Sequence, residues 1–216
     1  MTDIHDDPRT DGGRVTFAHK PILTGDKVLL RPFTEADTTT MAAILDDPEV
    51  VRLTGSGERS FSYEQLRSWY DSRSEQADRL DLGLVDRASG RLVGELVLYE
   101  WDELNRSCVF RVLIGPGGRD RGLGTEAIRL LLAYAFERLG LHRVSLGVLA
   151  FNPRAQRVYE RVGFVREGVE REAVLHEGEW IDSVSMAVLA REWAEHRGYP
   201  DAASAGRSGN AGVHTP

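Results

Sequence analysis

Arg119, Gly122 and Gly124 stand in the order R-x-x-G-x-G, where an alternating apolar segment gives way to an amphipathic one. Cys108, Phe110, Val112 and Ile114 occupy every second position, which predicts a strand over Ser107–Ile114. Ile128, Leu131, Leu132, Ala135, Phe136 and Leu139 recur at helical spacing, which predicts a helix over Thr125–Leu139 that Gly140 stops. A Gly-rich loop between two such elements presents unpaired main-chain N–H groups and the positive end of a helix dipole. That chemistry suits a phosphate or pyrophosphate. Glycine at 122 and 124 lets the backbone approach the oxygens, and Arg119 and Arg121 can add charge.

Two other nucleotide patterns fit this loop less well. Gly117 and Gly122 have P-loop spacing, but Leu123-Gly124-Thr125 follows and supplies no lysine for a terminal phosphate. Gly122-Leu123-Gly124-Thr125-Glu126-Ala127 matches a dinucleotide fingerprint, yet the next strand, His142–Leu149, ends in Ala150-Phe151-Asn152 without the acid that holds a ribose. A Gly-rich turn that merely joins strand to helix is the plain alternative.

The loop sits within an ordered set. Leu30-Arg31-Pro32-Phe33-Thr34-Glu35-Ala36-Asp37 precedes it; Asn152-Pro153-Arg154-Ala155, Tyr159, Gly163-Phe164 and Glu167-Gly168 follow. On these motifs the chain resembles the GNAT superfamily of acetyl-CoA-dependent N-acetyltransferases, from about Lys27 to about Trp193, and within it the RimJ/RimL-like ribosomal-protein-alanine type. The resemblance implies acetyl-CoA as co-substrate, its pyrophosphate held by Arg119, Arg121, Gly122, Leu123, Gly124 and Thr125. It further implies that the backbone of Val112, Leu113 and Ile114 pairs with the pantetheine, that the sheet splays between the fourth and fifth strands, and that Asn152 and Ala155 adjoin the cofactor. Ala155 stands where such members often carry Ser. Tyr159 falls where many members place the phenol that protonates the departing CoA thiolate, and a reference pKa of about 10 keeps a phenol protonated at neutral pH.

These residues also have structural readings. Asn152 can cap the helix that Pro153 opens, alone or while touching the cofactor. Tyr159 can be a core aromatic. Relatives often place a general-base Glu on the fourth strand, where this chain reads Cys108-Val109-Phe110. Glu95 on the third strand is the best substitute, since Leu96 and Val97 beside it suggest partial burial and a raised pKa; a solvated strand-face carboxylate is the alternative. Asp102, Glu103, Asp182 or a water chain are fallbacks. No nucleophile constellation appears, which favours direct attack by the amine over an acyl-enzyme.

Composition bounds the rest. The chain has 216 residues, 41% of them hydrophobic, enough for one domain with a sizeable core. A net charge of −7 argues against general nucleic-acid binding. The single Cys108 reads as a packed thiol, and the six His lack metal-ligand spacing. No apolar stretch is long enough to span a membrane and no leader pattern opens the chain, so a cytoplasmic protein is expected. Segments 1–20 and 199–216 read as disordered tails around a 21–198 domain.

Further strands are expected at Val28–Arg31, Leu82–Asp86, Leu92–Tyr99, about Phe164–Leu175 and Trp180–Leu189. Further helices are expected from Thr34 to about Leu45, from Ser62 to about Ala77, from Pro153 to Gly163 and around Trp193, with Val50–Ser60 as a variable segment. The order gives an α/β (α+β) domain, a mixed central sheet of about six to seven strands with flanking helices. The expected function is acetyl transfer from acetyl-CoA to a primary amine, either a protein N-terminus or a small amine. A non-catalytic acyl-CoA-binding sensor is the alternative, which the Tyr at 159 counts against. Acceptor contacts are expected from Val51–Ser60, Tyr99–Arg106 and Leu175–Trp180, and the resemblance allows a homodimer.

Overall fold

Every residue of Leu80–Asp86 is buried, so the strand it forms must be covered on both faces. The computed structural model, which describes residues 16–54 and 61–197, shows how. Eight strands form one sheet: β1 (Leu23–Thr24), β2 (Val28–Arg31), β3 (Leu80–Asp86), β4 (Arg91–Asp102), β5 (Ser107–Ile114), β6 (Arg143–Leu149), β7 (Val165–His176) and β8 (Glu179–Leu189). Their order is β1-β2-β3-β4-β5-β6-β8-β7. β5 and β6 are parallel, while β4–β5 and β6–β8 on either side of them are antiparallel. The helices are α1 (Thr38–Leu45), α2 (Pro48–Thr54), α3 (Tyr63–Arg73), α4 (Leu123–Ala133), α5 (Pro153–Arg161) and α6 (Ala190–His196).

The helices divide between the two faces. Leu82, Leu96 and Phe110 pack with Ile128 and Leu131 of α4 and Trp193 of α6. On the opposite face Val85 and Leu113 pack with Met41, Ile44, Leu66 and Tyr70 of α1 and α3. No helix among the described residues is long and apolar enough to cross a membrane.

The mixed sheet and its splayed centre agree with the sequence expectation; several boundaries differ. β1 adds an eighth strand, too short at two residues to show a period. The variable segment contains a helix, α2. Asp47 caps it, its Oδ1 accepting from the Val50 N–H at 3.0 Å, and Pro48 takes the first helical position. Asp-Pro-Glu was a legible start signal; the Gly-rich stretch after it, which lies outside the described residues, masked it. The second helix stops at Arg73 rather than near Ala77. The long helix begins at Leu123, two residues earlier than expected, and its last turn, Tyr134–Arg138, widens to π geometry. That keeps Tyr134, Ala135 and Phe136 buried on one stretch.

Residues 16–20 fall on the expected N-terminal tail but are packed. Phe17 is buried against Trp101, ring centroids 5.4 Å apart. Lys20 Nζ donates to the carbonyls of Phe17 at 2.8 Å, Gln76 at 2.6 Å and Arg79 at 2.5 Å. One aromatic and one cation suffice to seat a segment whose composition is otherwise polar. The remaining tail assignments, residues 1–15 and 199–216, lie outside the described residues.

Desolvation lowers the Lys20 ammonium from its usual value to about 8. The unfolded chain therefore holds a proton at this site between about pH 8 and 10.5 that the folded chain has lost, and stability contributed by Lys20 rises with pH across that window. Thermal melts of the protein and of Lys20→Met at pH 8 and pH 10 test this. The difference in Tm between parent and variant should grow in the parent's favour; a constant or shrinking difference contradicts it.

Candidate active site

β5 and β6 pair only over Ser107–Val109 against Arg143–Ser145. Beyond that point β5 stays with β4 and β6 stays with β8, so the sheet opens between two strands that each remain fully paired on their other edge. A cleft of about 700 Å³ occupies the opening. Its walls are Phe110–Ile114 of β5, Gly147–Leu149 of β6, the loop after β5, the inward side of α5, and Leu53 and Thr54 of α2.

The loop forms one end of the cleft. Gly122 has φ +78° and caps α4, a conformation that costs any side chain strain. The first bond of the helix runs from the Glu126 N–H to the Gly122 carbonyl at 3.2 Å, so the amides of Leu123, Gly124 and Thr125 precede the helical ladder, as helix N-termini dictate. Gly122, Gly124 and Thr125 line the cleft; Leu123 does not, since its side chain is buried in the core and only its amide can serve a ligand. Gly124 is small for a second reason: a Cβ there would come within 2.5 Å of Ile114 Cδ1.

The arginines differ from expectation. Arg119 donates from Nη2 to Asp47 Oδ1 at 2.6 Å, from Nη1 to Glu49 Oε2 at 2.5 Å, and from Nε to the Ile114 carbonyl at 3.1 Å. Two carboxylates offset its charge and tie the loop to the start of α2, while Arg119 itself lines the cleft. Arg121 Nη1 donates to Asp86 Oδ2 at 3.0 Å and to the Gly117 carbonyl at 3.1 Å; it too braces the loop and does not line the cleft. The sequence reading overlooked other cations at the loop and the cleft. Lys27 Nζ lies 3.7 Å from where a Gly122 Cβ would be. Arg154, Arg157 and Arg161 of α5 line the cleft, and their i, i+3, i+7 spacing on one helix face was the available signal.

α5 carries the remaining expected residues. Asn152 Oδ1 accepts from the Ala155 N–H at 3.1 Å, which makes Asn152 the helix cap, and both residues line the cleft. The two readings of Asn152 are compatible in space. Two turns on, Tyr159 is 9% exposed and lines the same cleft. Its ring meets Phe110 edge-on at 6.3 Å and Phe164 at 5.8 Å. Burial pushes its phenol up to about 12.

Glu95 is neither partly buried nor solvated: it is 3% exposed and absent from the cleft wall. Tyr70 Oη donates to its Oε2 at 3.3 Å and Arg111 Nη2 to its Oε1 at 2.8 Å. Burial raises its pKa, and the neighbouring Arg111 guanidinium opposes that rise. Arg111, not Glu95, reaches the cleft, so geometry gives the carboxylate no access to a reacting amine. Of the expected acceptor segments, Leu53, Thr54 and Tyr99 line the opening, Leu175–Trp180 does not, and residues 55–60 lie outside the described residues. Cys108 is buried at 2% exposure, with its thiol pushed up to about 12, as a packed residue should be.

Comparison with known proteins follows the same lines. The acetyltransferase (GNAT) domain family matches residues 27–165. YdaF of Bacillus subtilis, whose name assigns it provisionally to ribosomal N-acetylation, is 34% identical over 125 residues, covering 57% of this chain and 67% of that protein. A spermidine N(1)-acetyltransferase of Vibrio cholerae is 31% identical over 133 residues, covering 61% of this chain and 76% of its own length. The crystal structure of spermidine N-acetyltransferase from Vibrio cholerae in complex with CoA and spermine superposes with a TM-score of 0.73 at 25% identity, covering 79% of this chain and 99% of that one. With a sheet parted at β5–β6 and a glycine-capped helix end facing the gap, the chain belongs to the GNAT acetyltransferases, enzymes that take their acyl group from acetyl-CoA.

Proposed function

We propose that the protein transfers acetyl from acetyl-CoA directly to a primary amine, with Tyr159 as the proton donor to the leaving thiolate. The observation that carries this reading is the position of Tyr159, buried at the wall of the parted sheet beside Phe110, two helical turns after Asn152. Loop amides at Gly122–Thr125 hold the pyrophosphate, and the backbone of Val112, Leu113 and Ile114 offers the pantetheine a strand partner. Asn152 and Ala155 close on it from α5.

The neutral amine adds to the thioester carbon, forming the C–N bond and a tetrahedral oxyanion, and collapse of that oxyanion then breaks the C–S bond. Strand N–H groups steady the oxyanion in between. Tyr159 gives its phenolic proton to the sulfur, and the proton shed by the nitrogen returns to the phenolate through water. Burial raises the Tyr159 phenol to about 12, so it stays protonated at neutral pH and is available to the thiolate as it forms. No carboxylate base is required once both reactants are held together and a neutral fraction of amine is present. We place this activity in the cytoplasm.

Thiol release from acetyl-CoA with a panel of amines is the test. Release that depends on both acetyl-CoA and one class of amine supports the reading. CoA binding without release under any amine overturns it and leaves a binding module.

A further inference from the structure

The structure assigns to Arg111 a role no general description of the fold supplies: we infer that it selects acceptor amines that carry a carboxylate. The inference rests on the transferase reading above and narrows its acceptor.

The charge of the cleft is the first observation. Its lining holds two acids, Glu49 and Asp120, against five arginines. Both acids are spent: Glu49 on Arg119, and Asp120 on Arg154 at 2.7 Å. Arg157 and Arg161 of α5 add further positive charge to the wall. Among the described residues the cleft thus offers no unpaired carboxylate for the further ammonium groups of a polyamine.

Arg111 is the second observation. Phe110, Val112 and Ile114 of β5 face the α4 core, whereas Leu113 faces the opposite core with α1 and α3. Alternation puts Arg111 on that opposite face, beside Tyr99 and across from α2, where an acceptor would enter. Its side chain is 46% exposed while that of Glu95 beneath it is 4% exposed. Only Nη2 is engaged, by Glu95 Oε1, among the described residues. The rest of the planar fork is left toward the cleft, in a shape that receives a carboxylate through paired N–H donors.

The charges behind it reinforce the sign. Arg73, Arg79 and Arg111 interact with Asp81 and Glu95 as one cluster, with Lys20 and Asp78 at its edge, four cations against three carboxylates. Arg79 and Asp81 are joined by two bonds of 2.7 Å. Glu95, fixed by Tyr70, is the positioning residue that aims the fork rather than a catalytic one. An anionic group brought to Arg111 would balance the cluster; a second ammonium there would add to its excess.

Steady-state acetylation with matched acceptors tests this in two arms. One compares alanine with alaninamide, which reads a backbone carboxylate. The other compares the peptide amides Ala-Glu and Ala-Gln, which reads a side-chain carboxylate at a peptide N-terminus. In at least one arm kcat/KM should favour the carboxylate by about tenfold or more, as charge-assisted hydrogen bonds do, chiefly through KM, and spermidine should be the poorer acceptor. Arg111→Gln should reduce that preference to about twofold or less, and Arg111→Lys should restore part of it. CoA affinity and the thermal melt show whether each variant is folded. Spermidine preferred by the parent protein, or equal preference in both arms, overturns the inference while transferase activity stands; the parent comparison needs no variant. Release with none of the amines, with CoA still bound, instead overturns the transferase reading and this inference with it.

Discussion

Tyr159→Phe should lower kcat by about 100-fold or more, the usual value of a positioned acid, while the Kd for CoA stays within about threefold. The substitution removes one oxygen and keeps the ring, so the contacts with Phe110 and Phe164 survive. The loss should appear in kcat and kcat/KM together, since the proton is needed only as the thiolate forms. A leaving group of lower basicity needs the proton less, so an activated acyl thioester should narrow the gap between parent and variant. Stopped-flow thiol release with both donors measures this. A variant with full kcat would return Tyr159 to the role of a core aromatic.

Gly124→Trp should weaken CoA binding by at least 100-fold, about 2.7 kcal/mol, read by calorimetry. A Cβ at this position already meets Ile114 Cδ1 at 2.5 Å. An indole must then displace Ile114, which belongs to the proposed pantetheine track, or enter the cleft in front of the loop amides. Gly124→Ala is the graded control: its methyl group meets only the far end of a flexible side chain, and its effect should be several-fold smaller. Unchanged affinity in the Trp variant would remove the loop as the phosphate grip. The two substitutions separate the halves of the site, because the first spares binding and acts on turnover, and the second acts on binding.

Much of this architecture was legible because it is local. Helix α4 shows its stripe of Ile128, Leu131 and Leu132 at 3.6-residue spacing, and β6 alternates Val144, Leu146 and Val148. Asn152-Pro153 announces the start of α5 through the chemistry of caps. The R-x-x-G-x-G loop was recognisable for the same reason, since backbone amides at a helix end need no distant partner to be available. Where the local signal was short or split, the sequence misled: β1 has two residues, and α2 hid behind the glycines that follow it.

The partners of individual charges were settled elsewhere. The resemblance placed Arg119 and Arg121 at a phosphate; folding brought Asp47, Glu49 and Asp86 to them from far along the chain, so each also braces the loop. Glu95 looked like a base on a strand face until α3 laid Tyr70 over it and β5 set Arg111 between it and the cleft. Residue type and period determined which backbone segments form, where the loop lies and that Tyr159 shares a helix face with Asn152. Which charged groups meet a ligand and which neutralise one another was decided only by tertiary structure. Helix and strand patterns depend on neighbours a few residues away, whereas an ion pair is chosen by whatever the fold carries within a few ångströms.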